Sequence, residues 1–355
     1  PAIGLYVDDI PYIDKSAFDF NFFDVERMDV LRGPQGTLYG RNTMGGLMRI
    51  YTKSPANHEG TNLHLGTSSG NSQLSASLTH YHKVSSAFAF SLGGYYDAAK
   101  GFFRNDFTGR KADGMKSGGG RIRGIYSPTE RLSFDMNINY DYSDEGAYPY
   151  YYTGTIAGDE NYESLIGRIS NNRESNYRRG MLNAGINICY KTDKWQLNAI
   201  TGYQNISDRM FMDQDFISSD IYTLEQKQRI NTLTEEITFK NLGDGMWKWL
   251  TGINIMHQSL HTEAPVVFYQ DGLRWLEGNI NTVLPDMNKI TMLKMMGFSS
   301  MALNFRGDNL SFSGTYDTPV TGLALFHQSS DRQPHRFPRS TLRLRASVHG
   351  LRSTC

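Results

Sequence analysis

Period two governs most of the chain. From Arg131 to Ser143, Leu132, Phe134, Met136, Ile138, Tyr140 and Tyr142 alternate with Ser133, Asp135, Asn137, Asn139, Asp141 and Ser143. Successive side chains of an extended strand point to opposite faces, so this stretch predicts a strand with one oily and one wet face. Related strand patterns occupy Thr61–Thr67, Gln73–His82, Ala87–Asp97, Gly118–Tyr126, Tyr177–Tyr190, Trp195–Tyr203, Ile230–Lys240, Trp247–His257, Met295–Arg306 and Asn309–Tyr316. That is roughly eleven strands, many of about 9–11 residues or more, the length that crosses a bilayer at a tilt. Aromatics gather at strand ends, as at Tyr140 with Tyr142 and Trp247 with Trp249. Such residues favour a membrane interface because one end is apolar and the other can hydrogen-bond.

The connections between these strands sort by length. Ser68–Ser72, Lys83–Ser86, Ser127–Glu130, Lys191–Lys194 and Gly243–Met246 are short; Ala98–Ser117, Asp144–Asn176, Asp208–Arg229 and Leu260–Lys294 are long, and they alternate. Short turns on one rim and long loops on the other are the pattern of a bacterial outer-membrane β-barrel. A soluble β-sandwich has no reason to sort its loops in this way.

The head of the chain differs. Val25–Pro55 runs from a short strand, Val25–Leu31, through a turn at Gly33-Pro34 and glycines 36, 40, 45 and 46, to a second strand, Leu47–Lys53. So many glycines in a few residues mark backbone that turns with positive φ or lies close to a neighbour. A phosphate loop would need Gly-Lys followed by Ser or Thr, whereas Gly40 is followed by Arg41-Asn42-Thr43. No nucleotide or other cofactor is expected there.

Val25 to Gly46, reading Val-Glu-Arg-Met-Asp-Val-Leu-Arg-Gly-Pro-Gln-Gly-Thr-Leu-Tyr-Gly-Arg-Asn-Thr-Met-Gly-Gly, resembles the plug segment of TonB-dependent outer-membrane receptors. Pro1 to Asp9 resembles the plug strand just upstream, and the match is nearly continuous over residues 1–55. The motif positions are Arg32, Gly33, Pro34, Gly36, Tyr39, Gly40, Arg41, Gly45 and Gly46. The resemblance implies a globular α+β plug inside a closed barrel of about 22 strands. An open sheet in lipid would leave unpaired backbone groups at several kcal/mol each. The expected organisation is therefore the C-terminal part of a plug at 1–56, the first portion of a transmembrane antiparallel barrel at 57–330, and a basic tail at 331–355. The family's members carry an energy-coupling segment and the start of the plug upstream, so the resemblance implies a truncated chain or a fragment.

Composition agrees without deciding. Lys+Arg and Asp+Glu number 36 each among 355 residues, so no global basic field points to nucleic acid. Mean hydropathy is −0.48, which suits a barrel with a polar lumen, and no run of about eighteen apolar residues predicts a transmembrane helix. Cys189 and Cys355 form neither a disulfide framework nor a zinc site. His257 and His261 lack the glutamate of a zinc-protease motif, since Gln258 stands there, and His80 and His82 have no nearby acidic partner. No nucleophile–base arrangement can be defended. Asp135, Asn137, Asn139 and Asp141 are explained as a hydrated lumen row rather than as glycosidase carboxylates.

After Ser330 the alternation disappears. Arg332, Arg336, Arg339, Arg343, Arg345 and Arg352 have only Asp331 for acidic company. This tail is expected to be out-of-frame or otherwise non-native; a basic tail for anionic lipid or nucleic acid is the alternative.

Arg27, Arg32 and Arg41 sit where a plug would face a barrel wall. The family pairs such arginines with wall carboxylates, and Thr234-Glu235-Glu236-Ile237-Thr238-Phe239 resembles the wall segment that carries one. The resemblance implies a plug–barrel contact between Arg32 and Glu236, with Glu235 as second choice. It further implies an importer, not an enzyme. TonB and its inner-membrane proton-motive complex, outer-membrane lipid and a small nutrient of the siderophore-iron, cobalamin or oligosaccharide class would be its partners. Tyr148, Tyr150, Tyr151 and Tyr152 are candidate ligand contacts or girdle residues. A passive barrel or adhesin, and a soluble β-rich carbohydrate-binding module, are the competing readings.

Overall fold

A computed structural model describes residues 3–18, 21, 23–33, 43–146, 148–154, 160–243, 245–287, 302–331 and 341–351. The fold is mainly β: a small sheet sits against the inner face of a large antiparallel one.

The small sheet comprises β1 (Ile3–Val7), β2 (Ile10–Tyr12), β3 (Val25–Arg32) and β4 (Gly46–Thr52), in the order β2-β1-β4-β3. β1 and β2 are antiparallel, β1 and β4 parallel. Asp8 and Asp9 make the β1–β2 turn with φ of 48° and 68°, the left-handed region that Asp tolerates better than most residues. At the other end Arg32 pairs with Gly46. A Cβ on Gly46 would lie 2.8 Å from the Leu31 carbonyl oxygen, so glycine is required for that approach.

The large sheet runs β5 (Gly60–Ser68), β6 (Gln73–Lys83), β7 (Phe88–Ala99), β8 (Met115–Thr129), β9 (Leu132–Gly146), β10 (Asn176–Lys191), β11 (Trp195–Asp213), β12 (Tyr222–Asn241) and β13 (Trp247–Glu263). Two short strands, β14 (Val266–Phe268) and β15 (Leu310–Phe312), extend β12 sideways; the helix α1 (Gln270–Met287) lies between them in sequence. β16 (Thr315–Asp331) and β17 (Thr341–Leu351) continue the wall beyond β13.

The alternation of β9 sorts as expected. Met136, Ile138, Tyr140 and Tyr142 are exposed on the outer face, while Asn137, Asn139, Asp141 and Ser143 are buried on the inner one. A water-soluble sheet would bury the first set; here the polar set is covered, by the small sheet. The main apolar core is the seam between them, with Leu5, Val7, Tyr12, Ala17 and Ile50 packed against Met181, Ile206 and Ile230. Rings gather at the short-turn rim: Tyr190–Trp195 at 5.4 Å, Trp195–Phe239 at 5.4 Å and Phe239–Trp249 at 5.2 Å.

Four sequence expectations are corrected. β11 and β12 continue past Tyr203 and begin before Ile230, so most of Asp208–Arg229 is a strand pair, not a loop. α1 occupies much of the expected loop Leu260–Lys294. Of the expected strand Met295–Arg306, residues 302–306 are not strand and the rest lies outside the described residues. Thr341–Leu351, within the basic tail where alternation was read as lost, pairs antiparallel with β16.

Candidate functional site: the seam between plug and wall

The β1–β2 turn pushes Asp8 into the wall. Its carboxylate accepts from Thr52 N at 2.9 Å and Thr52 Oγ1 at 2.7 Å, both within the small sheet. From the wall it accepts Arg123 Nη1 at 3.0 Å and Asn137 Nδ2 at 2.8 Å. Arg123 reaches on to β9, donating to Asp135 through Nε at 3.1 Å and Nη2 at 2.7 Å. One guanidinium therefore ties two carboxylates, one on each body. The Asp8 side chain is 1% exposed and that of Arg123 is 9% exposed, so water does not screen the pair. Burial pushes the Asp8 carboxyl up from its ordinary range, against the pull of Arg123 and the Thr52 donors.

The same turn aims Ile10 at β10 and β11. Gly185 and Gly202 face each other across those strands. A Cβ on Gly185 would meet Ile10 Cδ1 at 2.5 Å, and one on Gly202 would meet Ile10 Cγ2 at 3.3 Å. The two glycines form a notch that only an absent side chain leaves open. Further polar contacts follow along 13–24. Gln204 Oε1 accepts from Asp14 N at 3.3 Å, Arg179 Nη1 donates to Ser16 O at 2.8 Å, Asn21 donates to Asp97, and Tyr81 donates to Asp24. Arg121 lies over the Phe23 ring at 4.7 Å. Between this segment and β5–β7 opens a cleft of about 760 Å³, lined by Asn21, Asp24, Lys53, His64 and Asp97 among others.

The expected contact residues fall elsewhere. Arg32 is exposed at the end of β3, and no ion pair joins it to Glu236 among the described residues. The sheet order explains this: β2 packs against β10 and β11, which puts β3 on the opposite edge. Glu236 is buried on the inner face and accepts from Asn254 Nδ2 at 3.4 Å. Glu235 points the other way and accepts from Thr201 Oγ1 at 2.5 Å. Arg27 stays within the small sheet, with Asp29 at 3.1 Å and the Tyr51 ring at 4.3 Å. Gly33 N donates to Gly45 O at 3.2 Å, closing the neck of the glycine-rich loop. Pro34, Gly36, Tyr39, Gly40 and Arg41 lie outside the described residues.

At the long-loop rim, the Tyr148 and Tyr150 rings are 5.9 Å apart, Tyr150 meets Phe216 at 5.2 Å, and Tyr152 is buried with Ile217 and Ile221. Tyr151 is exposed. Arg173 clamps Asp220 through Nε at 2.7 Å and Nη2 at 3.0 Å and lies over Tyr269 at 3.6 Å. Hydrogen bonding to Arg173 holds the Asp220 carboxyl below its ordinary range. His257 bonds Thr321 and His261 bonds Asp317, so the two histidines have separate partners.

A small mixed sheet is thus held by polar and apolar side chains against the inner face of an antiparallel wall. Residues 1–47 match the family described as TonB-dependent receptor plug domain. Over 55 residues the chain is 44% identical to the pesticin receptor of Yersinia enterocolitica and equally to that of Yersinia pestis, a stretch that is 16% of this chain and 8% of each relative. In structure it is similar to the ferric yersiniabactin uptake receptor FyuA of Yersinia pestis, with TM-score 0.62, 17% identity, and 99% of this chain on 52% of that one. It is likewise similar to the P. aeruginosa receptor FpvA bound to heterologous pyoverdines, with TM-score 0.65, 11% identity, and 99% of this chain on 46% of that one. The chain thus spans about half the length of these receptor structures and a small part of the curated relatives. The plug-domain match at residues 1–47 and a wall with the fold of those receptors agree with each other.

Proposed function

We propose that this chain is the plug-bearing part of an outer-membrane receptor that imports a ferric siderophore under TonB control. The class follows the relatives: a pesticin receptor, a ferric yersiniabactin uptake receptor and a pyoverdine-bound receptor. The observation that carries the reading is the chemistry of the seam. An importer must hold its plug at rest and release it under pull. A neutral hydrogen bond such as that of Gln204 exchanges for water at a net cost of about 0.5–1.5 kcal/mol. Charged ones, as at Arg179 and Asn137, cost about 1.5–3 kcal/mol, so the polar part of the seam opens with modest work beside its apolar core. A seam built only of apolar side chains would lose the whole burial term.

In this reading the chelate binds at the long-loop rim, near Tyr148, Tyr150 and Tyr151. The inner-membrane complex then draws on the plug, and solute passes beside the wall through the cleft at Asn21, Lys53 and Asp97. No bond in the solute changes, so the role is transport and not catalysis.

The test is uptake of radiolabelled ferric siderophores by cells carrying the full-length gene, with and without proton-motive force. Uptake that persists after the force is collapsed sinks the TonB reading. Uptake of cobalamin or oligosaccharide but no ferric chelate sinks the substrate class.

A further inference from the structure

At the long-loop rim, residues 214–221 join β11 to β12. Asp213, the last residue of β11, is 0% exposed. Its amide donates to Ser175 Oγ at 3.0 Å, and its Oδ2 accepts from Arg173 N at 3.2 Å. Its Oδ1 is buried and has no donor among the described residues. Two positions on, the Asp215 side chain turns back into the loop. Its Oδ1 accepts from Ile217 N at 3.0 Å, and its Oδ2 from Ile221 N at 3.1 Å and Tyr222 N at 3.2 Å. The two carboxyl groups lie in hydrogen-bond contact with each other.

Two ionised carboxylates cannot make such a contact, since neither has a hydrogen to give. The neighbouring charges are engaged elsewhere. Arg173 clamps Asp220 with its guanidinium, and Asp271, entering from α1, accepts from Asp220 N at 3.0 Å and pairs with Arg274 at 3.3 Å. Neither Asp213 nor Asp215 forms an ion pair among the described residues. A metal ion is disfavoured, because three backbone N–H groups already point at Asp215. One proton on Asp213 satisfies the whole arrangement. Its O–H donates to Asp215, whose ~4 lone-pair sites are then filled by that bond and the backbone donors.

We propose that Asp213 and Asp215 share a single proton, and that this proton is the latch keeping loop 214–221 closed. The loop carries Phe216 to the Tyr150 ring at 5.2 Å and buries Ile217 with Tyr152. It also receives Asn172 N on Ile217 O at 3.3 Å and Tyr269 N on Ile221 O at 2.9 Å. Loss of the proton to solvent hydroxide leaves two like charges in a buried site and takes the support from these rings.

Burial, and after it the charge of Asp215, push the Asp213 carboxyl up to about 8 against the Arg173 N–H; burial raises Asp215 as well, against its three backbone donors. Asp220, held low by Arg173, stays ionised, and the Tyr222 phenol, pushed up by burial, stays neutral. All of these groups stand outside the membrane. The 19 residues of β11 climb ~45 Å at the usual rise and tilt of barrel strands, past an apolar belt of ~25 Å. A proton held by the closed loop and released by the open one makes closure weaken as pH rises from the ordinary carboxylate range, about tenfold per pH unit, and level off above the raised value.

The test is hydrogen exchange of the full-length receptor in detergent, read by mass spectrometry as protection of the 217, 221 and 222 amides relative to their intrinsic rates. Protection should fall about tenfold per unit up to about pH 8 and then level off. In Asp213→Asn, whose carboxamide supplies a donor at every pH, it should stay level throughout. Flat protection in the unaltered receptor, or the same slope in the variant, overturns the proposal. Added calcium that restores protection at alkaline pH also overturns it, in favour of a metal. Should the variant melt early, infrared spectra of the unaltered receptor decide: a protonated-carboxyl band present at neutral pH and fading at alkaline pH is expected, and its absence or its persistence overturns the latch. Uptake enters none of these readouts, so the latch and the transport reading fail separately.

Discussion

The plug touches its wall in two ways within a few residues. At Asp8 the contact with β8 and β9 is ionic and satisfied by hydrogen bonds; at Ile10 the contact with β10 and β11 is apolar and depends on two missing side chains. The two grips differ in what they tolerate. A charge contact is directional and fails when one partner is removed, because the other is left buried and alone. A notch is indifferent to charge and fails when filled.

Substitutions in the full-length protein can separate them. The largest effect is expected from Arg123→Ala, which strands the Asp8 carboxylate in a buried site and should cost about 3–5 kcal/mol of plug docking. Urea titration of plug protection against protease measures it; a midpoint equal to that of the unaltered protein would dismiss the ionic grip. Gly185→Val comes next, at about 1–3 kcal/mol from overpacking, and Ile10→Ala in the same chain should restore docking by vacating the space. Failure of that rescue would show that β10 is damaged independently of the plug. Asp8→Asn keeps shape and some hydrogen bonds, and a loss of about 1–2 kcal/mol is expected, below that of Arg123→Ala.

The smallest effect lies outside the seam. Asp220 has its pKa lowered by Arg173, so the contribution of this clamp is complete above the ordinary carboxylate range and is lost as pH falls through the depressed value. Spin-label distances between loops 147–175 and 214–221 should hold through mildly acidic pH and spread only below it. Spreading near neutral pH would count against the clamp.

How far these contacts were readable from sequence follows from their range. Leu132–Tyr142 declared both faces of β9 because every second residue is apolar. The upper parts of β11 and β12 were hidden, since Asp208, Arg209, Asp213, Glu225 and Lys227 are polar on both faces and erase the period. α1 was hidden by Gly272, Gly278 and Pro285, which break the usual helical composition. Residues 1–55 pointed to the plug through local motifs. The partners of its charges were not local: Asp8 and Arg123 are 115 positions apart. Arg121 and Arg123 alternate with Ile122 on β8 and are buried on its inner face. The turn that brings Asp8 to them carries no comparable pattern, and the far edge position of Arg32 depends on sheet order alone.

On the transport reading proposed above, sharing Arg123 between two acids has a consequence for reseating. Were Asp8 to leave with the plug, Asp135 would still neutralise the guanidinium through two parallel hydrogen bonds. In the proposed transport cycle the Arg123 site would thus present no bare cation to an anionic solute. Asp8 could return to it without first displacing a competitor.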